Sequence, residues 1–153
     1  MLSKKMKYAL KALIFLAREG AEKPVLISDI AEKEGIPKKF LEAILLELKN
    51  KGVLESRKGK GGGYLLGKIP KEIKLGEVMR ALDGPIAPLP CLSRTAYAKC
   101  DECEDEKTCG IRLIMKEVYE ANIKILDSTS LADILDRTDS VLQQERKILM
   151  YHI

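Results

Sequence analysis

Apolar residues recur at steps of three and four through Met6, Ala9, Leu10, Leu13, Leu16 and Ala17. That spacing predicts a helix from Lys4 to Arg18, with Ser3 as its cap and Gly20 as its stop. Pro24-Val25-Leu26-Ile27 reads as a short extended segment, after which Ser28 can cap a second helix, Asp29 to Glu34, with Ile30 and Ala31 turned inward. Gly35 turns the chain. Pro37 fits the first turn of a third helix, where its missing N–H costs nothing, and Phe40, Leu41, Ile44, Leu45 and Leu48 form an apolar stripe before Gly52. Val53 to Ser56 and Tyr64 to Leu66 then read as two strands around the basic, glycine-rich Arg57-Lys58-Gly59-Lys60-Gly61-Gly62-Gly63.

Beyond the hairpin, Ile73 to Leu82 predicts a short helix, and the proline-rich stretch from Gly84 to Pro90 predicts an exit in which no helix persists. A loop must follow. From Ile111 to Leu126 the pattern is helical again, with Ile111, Ile114, Met115, Val118, Ala121, Asn122, Ile125 and Leu126 spaced as a seam for a partner helix. The partner can be a second copy of the chain, meeting Ile111, Ile114, Met115, Val118, Ala121 and Ile125, or the stripe can cover its own domain, although a small winged-helix domain offers a helix of about four turns limited surface. The residues from Thr138 onward can extend a helix or hang free, and no function is assigned to them.

Helix, short helix, glycine turn, helix and basic hairpin is the element order of a winged helix-turn-helix. The expected fold is therefore mainly α: three helices plus a two-stranded wing, followed by a long C-terminal dimerisation helix. The expected division is a DNA-binding domain over 1–83, a cysteine-bearing loop over 84–110, the dimerisation helix and a short following helix over 111–136, and a tail over 137–153.

Composition narrows the chemistry. At 153 residues and 46% apolar, the chain can bury one core, and no run of 18 apolar residues suggests a membrane span. The sole histidine, His152, stands one residue from the C-terminal end of the sequence, which leaves histidine-based hydrolase and zinc-protease chemistry without a firm base. Lys11 interrupts the apolar part of the basic N-terminus, leaving too short a run for an export signal, so a cytoplasmic protein is expected. Charge is uneven: residues 1–80 carry a net +8 and residues 81–153 a net −4. The N-terminal half is the anion binder, if either half is.

Gly62-x-x-x-x-Gly67-Lys68 imitates a phosphate loop, but Ile69 stands where a Ser or Thr must bind magnesium, and the segment leaves a hairpin instead of opening a helix. Lys38 and Lys39 oppose the dipole at a helix start, a placement that an external phosphate would explain. Glu42, one turn further on, can accept from a cytosine amine in the major groove. The expected DNA-facing set is Ser3, Lys4, Tyr8, Ser28, Lys38, Lys39, Phe40, Glu42, Arg57, Lys58, Gly59 and Lys60. Cys91, Cys100, Cys103 and Cys109 fall within 19 residues of a polar, turn-rich segment where core packing does not require them. In a reducing compartment such thiols are ligands or redox groups; four thiolates suit an iron–sulfur cluster or zinc, and spacing does not choose between them. Asp101, Glu102, Glu104, Asp105 and Glu106 around Cys103 read first as solvated loop residues, though carboxylates near thiolates also raise thiol pKa values.

Tyr8-Ala9-Leu10, Ile30 to Glu42, Gly59-Lys60-Gly61-Gly62-Gly63-Tyr64-Leu65-Leu66 and Ile73-x-x-Gly76-Glu77-Val78 resemble the Rrf2 family of bacterial transcription regulators over roughly residues 1–135. The resemblance implies a homodimer that binds a double-stranded operator and senses iron–sulfur status, nitric oxide, redox state or cysteine supply. Cluster-binding members carry three loop cysteines, which Cys91, Cys103 and Cys109 match. Some draw a fourth ligand from a histidine three residues after the last cysteine, here Arg112; others from a carboxylate before the first-helix tyrosine, here Lys7. Neither can ligate, so Cys100 is the expected fourth ligand, and three cysteines with an open iron remain an alternative. Zinc, or no cofactor with control by a partner enzyme or thiol oxidation, are the other readings. An enzyme is not expected.

Overall fold

The computed structural model describes residues 2–20 and 22–151; His152 lies outside them. Six helices and one two-stranded antiparallel sheet follow in the order α1 (Lys4–Glu19), α2 (Ile27–Glu34), α3 (Lys38–Asn50), β1 (Leu54–Arg57), β2 (Gly63–Leu66), α4 (Leu75–Asp83), α5 (Gly110–Ser128) and α6 (Leu131–Tyr151), with a single 3-10 turn at Pro90–Leu92. This is the winged helix-turn-helix expected from the element order.

α1 to α3 pack because each presents one apolar face. Met6, Ala9, Leu13 and Leu16 of α1 meet Ile30 of α2 and Leu41, Ile44, Leu45 and Leu48 of α3, with Val53, Leu54, Leu66, Ile73 and Val78 completing one core. Each buried leucine or isoleucine contributes roughly 1.5–3 kcal/mol over an exposed one. Ala12 and Phe15 also turn inward, while Leu10 and Ala17 are only half-buried. At Ser3 the side chain accepts from the Met6 N–H at 3.0 Å, the cap that the sequence predicts.

Three local readings need correction. Ser28 does not cap α2: the helix already begins at Ile27 with Leu26 as its cap, and the Ser28 hydroxyl reaches only Asp29. Pro37 is the cap of α3, one position earlier than expected. The expected short helix after α5 is instead 21 residues long, running through position 136 without a break because no Gly or Pro interrupts Leu131 to Tyr151.

β1 and β2 pair from Leu54–Leu66 to Arg57–Gly63, and Val25 adds an isolated bridge to Tyr64. Gly63 makes that bridge possible: its φ is +144°, and any Cβ there would collide with the Val25 carbonyl. At the other end, Leu75 N–H donates to Thr129 O and Leu131 N–H to Ile73 O, both at 2.9 Å, so the α5–α6 junction is fastened to the start of α4. Arg18 and Asp139 join α1 to α6 at 3.1 Å.

Candidate nucleic-acid interface and cysteine loop

The turn between α2 and α3 is set by Gly35, which adopts φ +64° and donates its N–H to the carbonyls of Ala31 and Glu32. Ile36 is buried directly after it and anchors the approach to α3. With Leu41, Ile44, Leu45 and Leu48 inside, the opposite side of α3 presents Lys38, Lys39 and Glu42 to solvent. An open cleft of about 320 Å³ lies between α2, α3 and the wing, where Ser28, Lys38, Glu42, Arg57 and Lys58 come together. Gly59 and Lys60 extend from it at the exposed wing tip, where Gly62 N–H closes the turn on Gly59 O at 3.0 Å. Among the described residues, none of Lys38, Lys39, Arg57, Lys58 or Lys60 forms an ion pair. Five unneutralised cations around a helix start and a hairpin form a surface shaped for a polyanion.

Phe40 is not part of the core stripe, contrary to its spacing. It is 54% exposed and stands edge-on to Tyr8 with ring centroids 6.1 Å apart. Tyr8 covers only one edge of the ring, so helical periodicity alone does not bury it. Lys4 is exposed one helical turn before Tyr8, whereas the Ser3 hydroxyl is committed to the α1 cap and to the Asp83 carboxylate at 2.9 Å.

The four cysteines are unequal. Cys91 is buried with Leu92, Tyr119 and Ile123, which corrects the expectation that none serves packing. Cys100 is exposed; Cys103 and Cys109 are half-buried, and Cys109 caps α5 with its carbonyl accepting from Leu113 N–H at 3.1 Å. Burial pushes the Cys103 thiol up first, and a hydrogen bond with Cys109 together with the nearby Cys109, Cys100 and Glu106 pushes it further. Three sulfurs thus lie in one neighbourhood. Among the described residues, no group of three or more side chains is arranged to hold a metal ion as it stands.

Arg112 supplies the test of fit. Its Nε is buried without a hydrogen-bond partner, 3.8 Å from Glu106, whose other oxygen accepts from Tyr97 at 2.7 Å. A sealed donor costs about 1–3 kcal/mol unless an acceptor arrives. An anionic thiolate-bound metal group would be such an acceptor, and soft sulfur donors select iron–sulfur clusters or zinc. The residues present therefore fit such a group chemically.

α5 is apolar on two sides. Tyr119 and Ile123 are buried against the Cys91 cluster with Met115 packed beside them, so Met115, expected in the seam, faces its own chain. Ile111, Ile114, Val118 and Ile125 are each 46–68% exposed, with Ala121 exposed among them. Sequence reasoning missed Tyr119 and Ile123, although Met115, Tyr119 and Ile123 at steps of four carry the signal.

Helix-turn-helix, wing and unpaired cations define a DNA-binding regulator of the winged-helix class. The chain belongs to the Rrf2 family: residues 2–137 match the family described as an iron-dependent transcriptional regulator. It is 49% identical over 138 residues to an rrf2-like HTH-type transcriptional regulator of Rhodobacter capsulatus, covering 88% of this chain and 92% of that one. It is 32% identical over 152 residues to the HTH-type transcriptional regulator CymR of Bacillus subtilis, covering 99% of each. The solved structure of CymR, described as the global cysteine regulator of B. subtilis, matches with a TM-score of 0.73 over 90% of this chain and 97% of that one, at 31% identity. The structure of T. potens IscR also gives 0.73, over 92% and 90%, at 27% identity. These relatives are transcriptional regulators, not enzymes.

Proposed function

We propose that this chain works in the cytoplasm as a homodimeric repressor or activator that reads a double-stranded operator with α3 and the wing. The observation that carries this reading is the cleft where Lys38, Glu42, Arg57 and Lys58 converge with no ion pair to any of these cations among the described residues. Lys38, Lys39 and Lys4 take phosphates, Glu42 and Ser28 face base edges, Tyr8 and Phe40 pack on sugar and backbone, and Arg57, Lys58, Gly59 and Lys60 enter the minor groove. In this division, 1–83 binds DNA, 84–110 senses, and α5 joins two copies through Ile111, Ile114, Val118, Ala121 and Ile125.

The sensing group in this reading is an iron–sulfur cluster held by Cys91, Cys103 and Cys109, with Cys100 as the fourth ligand. When bound, it supplies a redox- and ligand-sensitive charge centre. Arg112 then donates toward that negative charge, and Cys109 ties the ligand set directly to α5. A change in the loop can so tilt α5 and shift the spacing of two reading heads.

A second reading is favoured by one specific observation: Cys91 already has a packing role, buried with Leu92, Tyr119 and Ile123. In it the loop holds zinc or no metal, and thiol oxidation or a partner enzyme carries the signal. Selection from a random duplex library tests the DNA reading, and failure to enrich any sequence rejects it. Iron, sulfide and zinc content with a visible spectrum of anaerobically purified protein separates the two sensors: colourless, iron-free protein rejects the cluster.

A further inference from the structure

A cavity of about 130 Å³ lies between α4, α5 and the loop on either side of Cys91. Ile86, Tyr119 and Ile123 give it apolar walls, while Arg80, Arg94 and Asp127 bring charge to it. Tyr119 is 8% exposed, and its hydroxyl has no hydrogen-bond partner among the described residues, yet it is not a sealed atom. Tyr119 lines the cavity, and its hydroxyl is a donor without a protein acceptor among the described residues. Arg94 forms no ion pair among the described residues, and Arg80 already shares its guanidinium with Asp127 at 2.7 Å.

We propose that this cavity binds a small carboxylate of amino-acid size. Its volume of about 130 Å³ leaves room for a ligand the size of acetate or alanine. A carboxylate accepts both N–H groups of one edge of the Arg94 fork and the Tyr119 O–H, and its carbon end meets Ile86 and Ile123. Ser93 and Thr95 add hydroxyls to the same wall. A phosphate dianion is disfavoured because Asp127 stands in the lining and the two arginines exceed it by only one charge. An α-amino acid gains a further contact, its ammonium on Asp127.

The site touches α4, α5 and the loop at once, and Tyr119 and Ile123 also bury Cys91. Occupancy thus loads the same α5 side chains that hold the start of the cysteine loop, which gives a ligand a physical route to that loop. The proposal is independent of the cluster and of DNA binding, and it is tested without either.

The full-length protein is titrated with sodium acetate and separately with L-alanine, by calorimetry and by the tyrosine ring signals in NMR, against sodium chloride at equal ionic strength. The expected result is one saturable site for at least one probe, with tighter L-alanine binding marking the Asp127 contact. Arg94→Gln, at an exposed position, should weaken it about tenfold, and Tyr119→Phe several-fold with unchanged thermal unfolding. Lack of saturation below roughly 10 mM overturns the proposal. So does equal competition by sulfate, or unchanged affinity in both variants.

Discussion

Arg80 on α4 reaches Asp127 on α5 at 2.7 Å, and Gly76 is what leaves room for the pair, since a Cβ at Gly76 would collide with the Asp127 carboxylate. The obstacle is the end of a flexible side chain, so alanine at Gly76 displaces Asp127 and not the backbone. Two effects then oppose each other. Alanine in a helix gains about 0.5–1 kcal/mol over glycine, while losing a half-exposed ion pair costs about 0–1 kcal/mol. Gly76→Ala should be close to neutral in the wild type and stabilising by about 0.5–1 kcal/mol in an Asp127→Ala background. Urea unfolding of the four proteins checks this; equal effects in both backgrounds would show that Asp127 does not explain the glycine.

At the reading head, Lys39 and Glu42 should fail differently. In the proposed reading Lys39 meets phosphate, so Lys39→Ala should weaken binding to every sequence and reduce the slope of log K against log salt by about 1. Glu42→Ala should instead relax preference at one base pair, by about 1–3 kcal/mol. Titrations against a selected duplex and its single-base variants at several salt concentrations separate the two outcomes. Wild-type behaviour in both variants would move the reading surface away from α3.

Much of this surface is legible before folding because glycine and period carry it. Gly35 and the hairpin glycines Gly59, Gly61 and Gly63 take the positive φ that tight turns need and other residues avoid, and Leu41, Ile44, Leu45 and Leu48 repeat at helical spacing. Phe40 is misread because periodicity reports which side a residue occupies, not whether a neighbouring layer extends that far; Tyr8 stands edge-on beside it and leaves it 54% exposed. On α5 the stronger outward stripe hides a second, inward one, Met115, Tyr119 and Ile123. Cys91 looks like a loop thiol because three prolines precede it and a polar segment follows from Ser93, but Leu89 and Leu92 flank it and draw it into the same apolar cluster.

The two faces of α5 make a separable prediction. Val118 is 46% exposed in the single chain, so Val118→Glu should leave protomer stability within about 0.5 kcal/mol while abolishing the dimer. Tyr119→Ala should instead destabilise the protomer by about 3–5 kcal/mol, as large aromatic truncations do. Sedimentation beside urea unfolding distinguishes them. A dimer that survives Val118→Glu would place the interface elsewhere.

Acid should loosen the start of α6. Ser130 donates its O–H and N–H to Asp133 at 2.5 and 2.7 Å, and Asp133 N–H donates back to the Ser130 hydroxyl at 3.1 Å. These hydrogen bonds hold the Asp133 carboxyl below its ordinary range. A folded-state pKa below the unfolded one gives stability that is present above the unfolded value, near 3.9, and is lost as pH falls through the folded value. Asp133→Asn should therefore flatten the fall in thermal stability below about pH 4. A melting series from neutral pH into acid checks the slope; identical slopes would remove Asp133 from the acid response.

The cysteines are separated by pairing metal content with stability, because Cys91 alone is buried in apolar packing. Cys91→Ala should both lower iron loading and destabilise metal-free protein by roughly 1 kcal/mol, since free cysteine packs as a small hydrophobe. Cys103→Ala and Cys109→Ala should remove the chromophore with little change in metal-free stability. Burial and Cys109 hold the Cys103 thiol above its ordinary range, so it enters the folded apo-protein protonated, and metal uptake must release that proton. Apparent metal affinity should then fall as pH is lowered, most steeply in the wild type and less in Cys103→Ala protein reloaded with zinc. Loss of colour in the Cys91, Cys103 and Cys109 variants with retention in Cys100→Ala would keep the cluster and remove the fourth ligand. The exposed Cys100 would then be only a bystander whose backbone carbonyl, accepting from Cys103 N–H at 3.2 Å, shapes the turn.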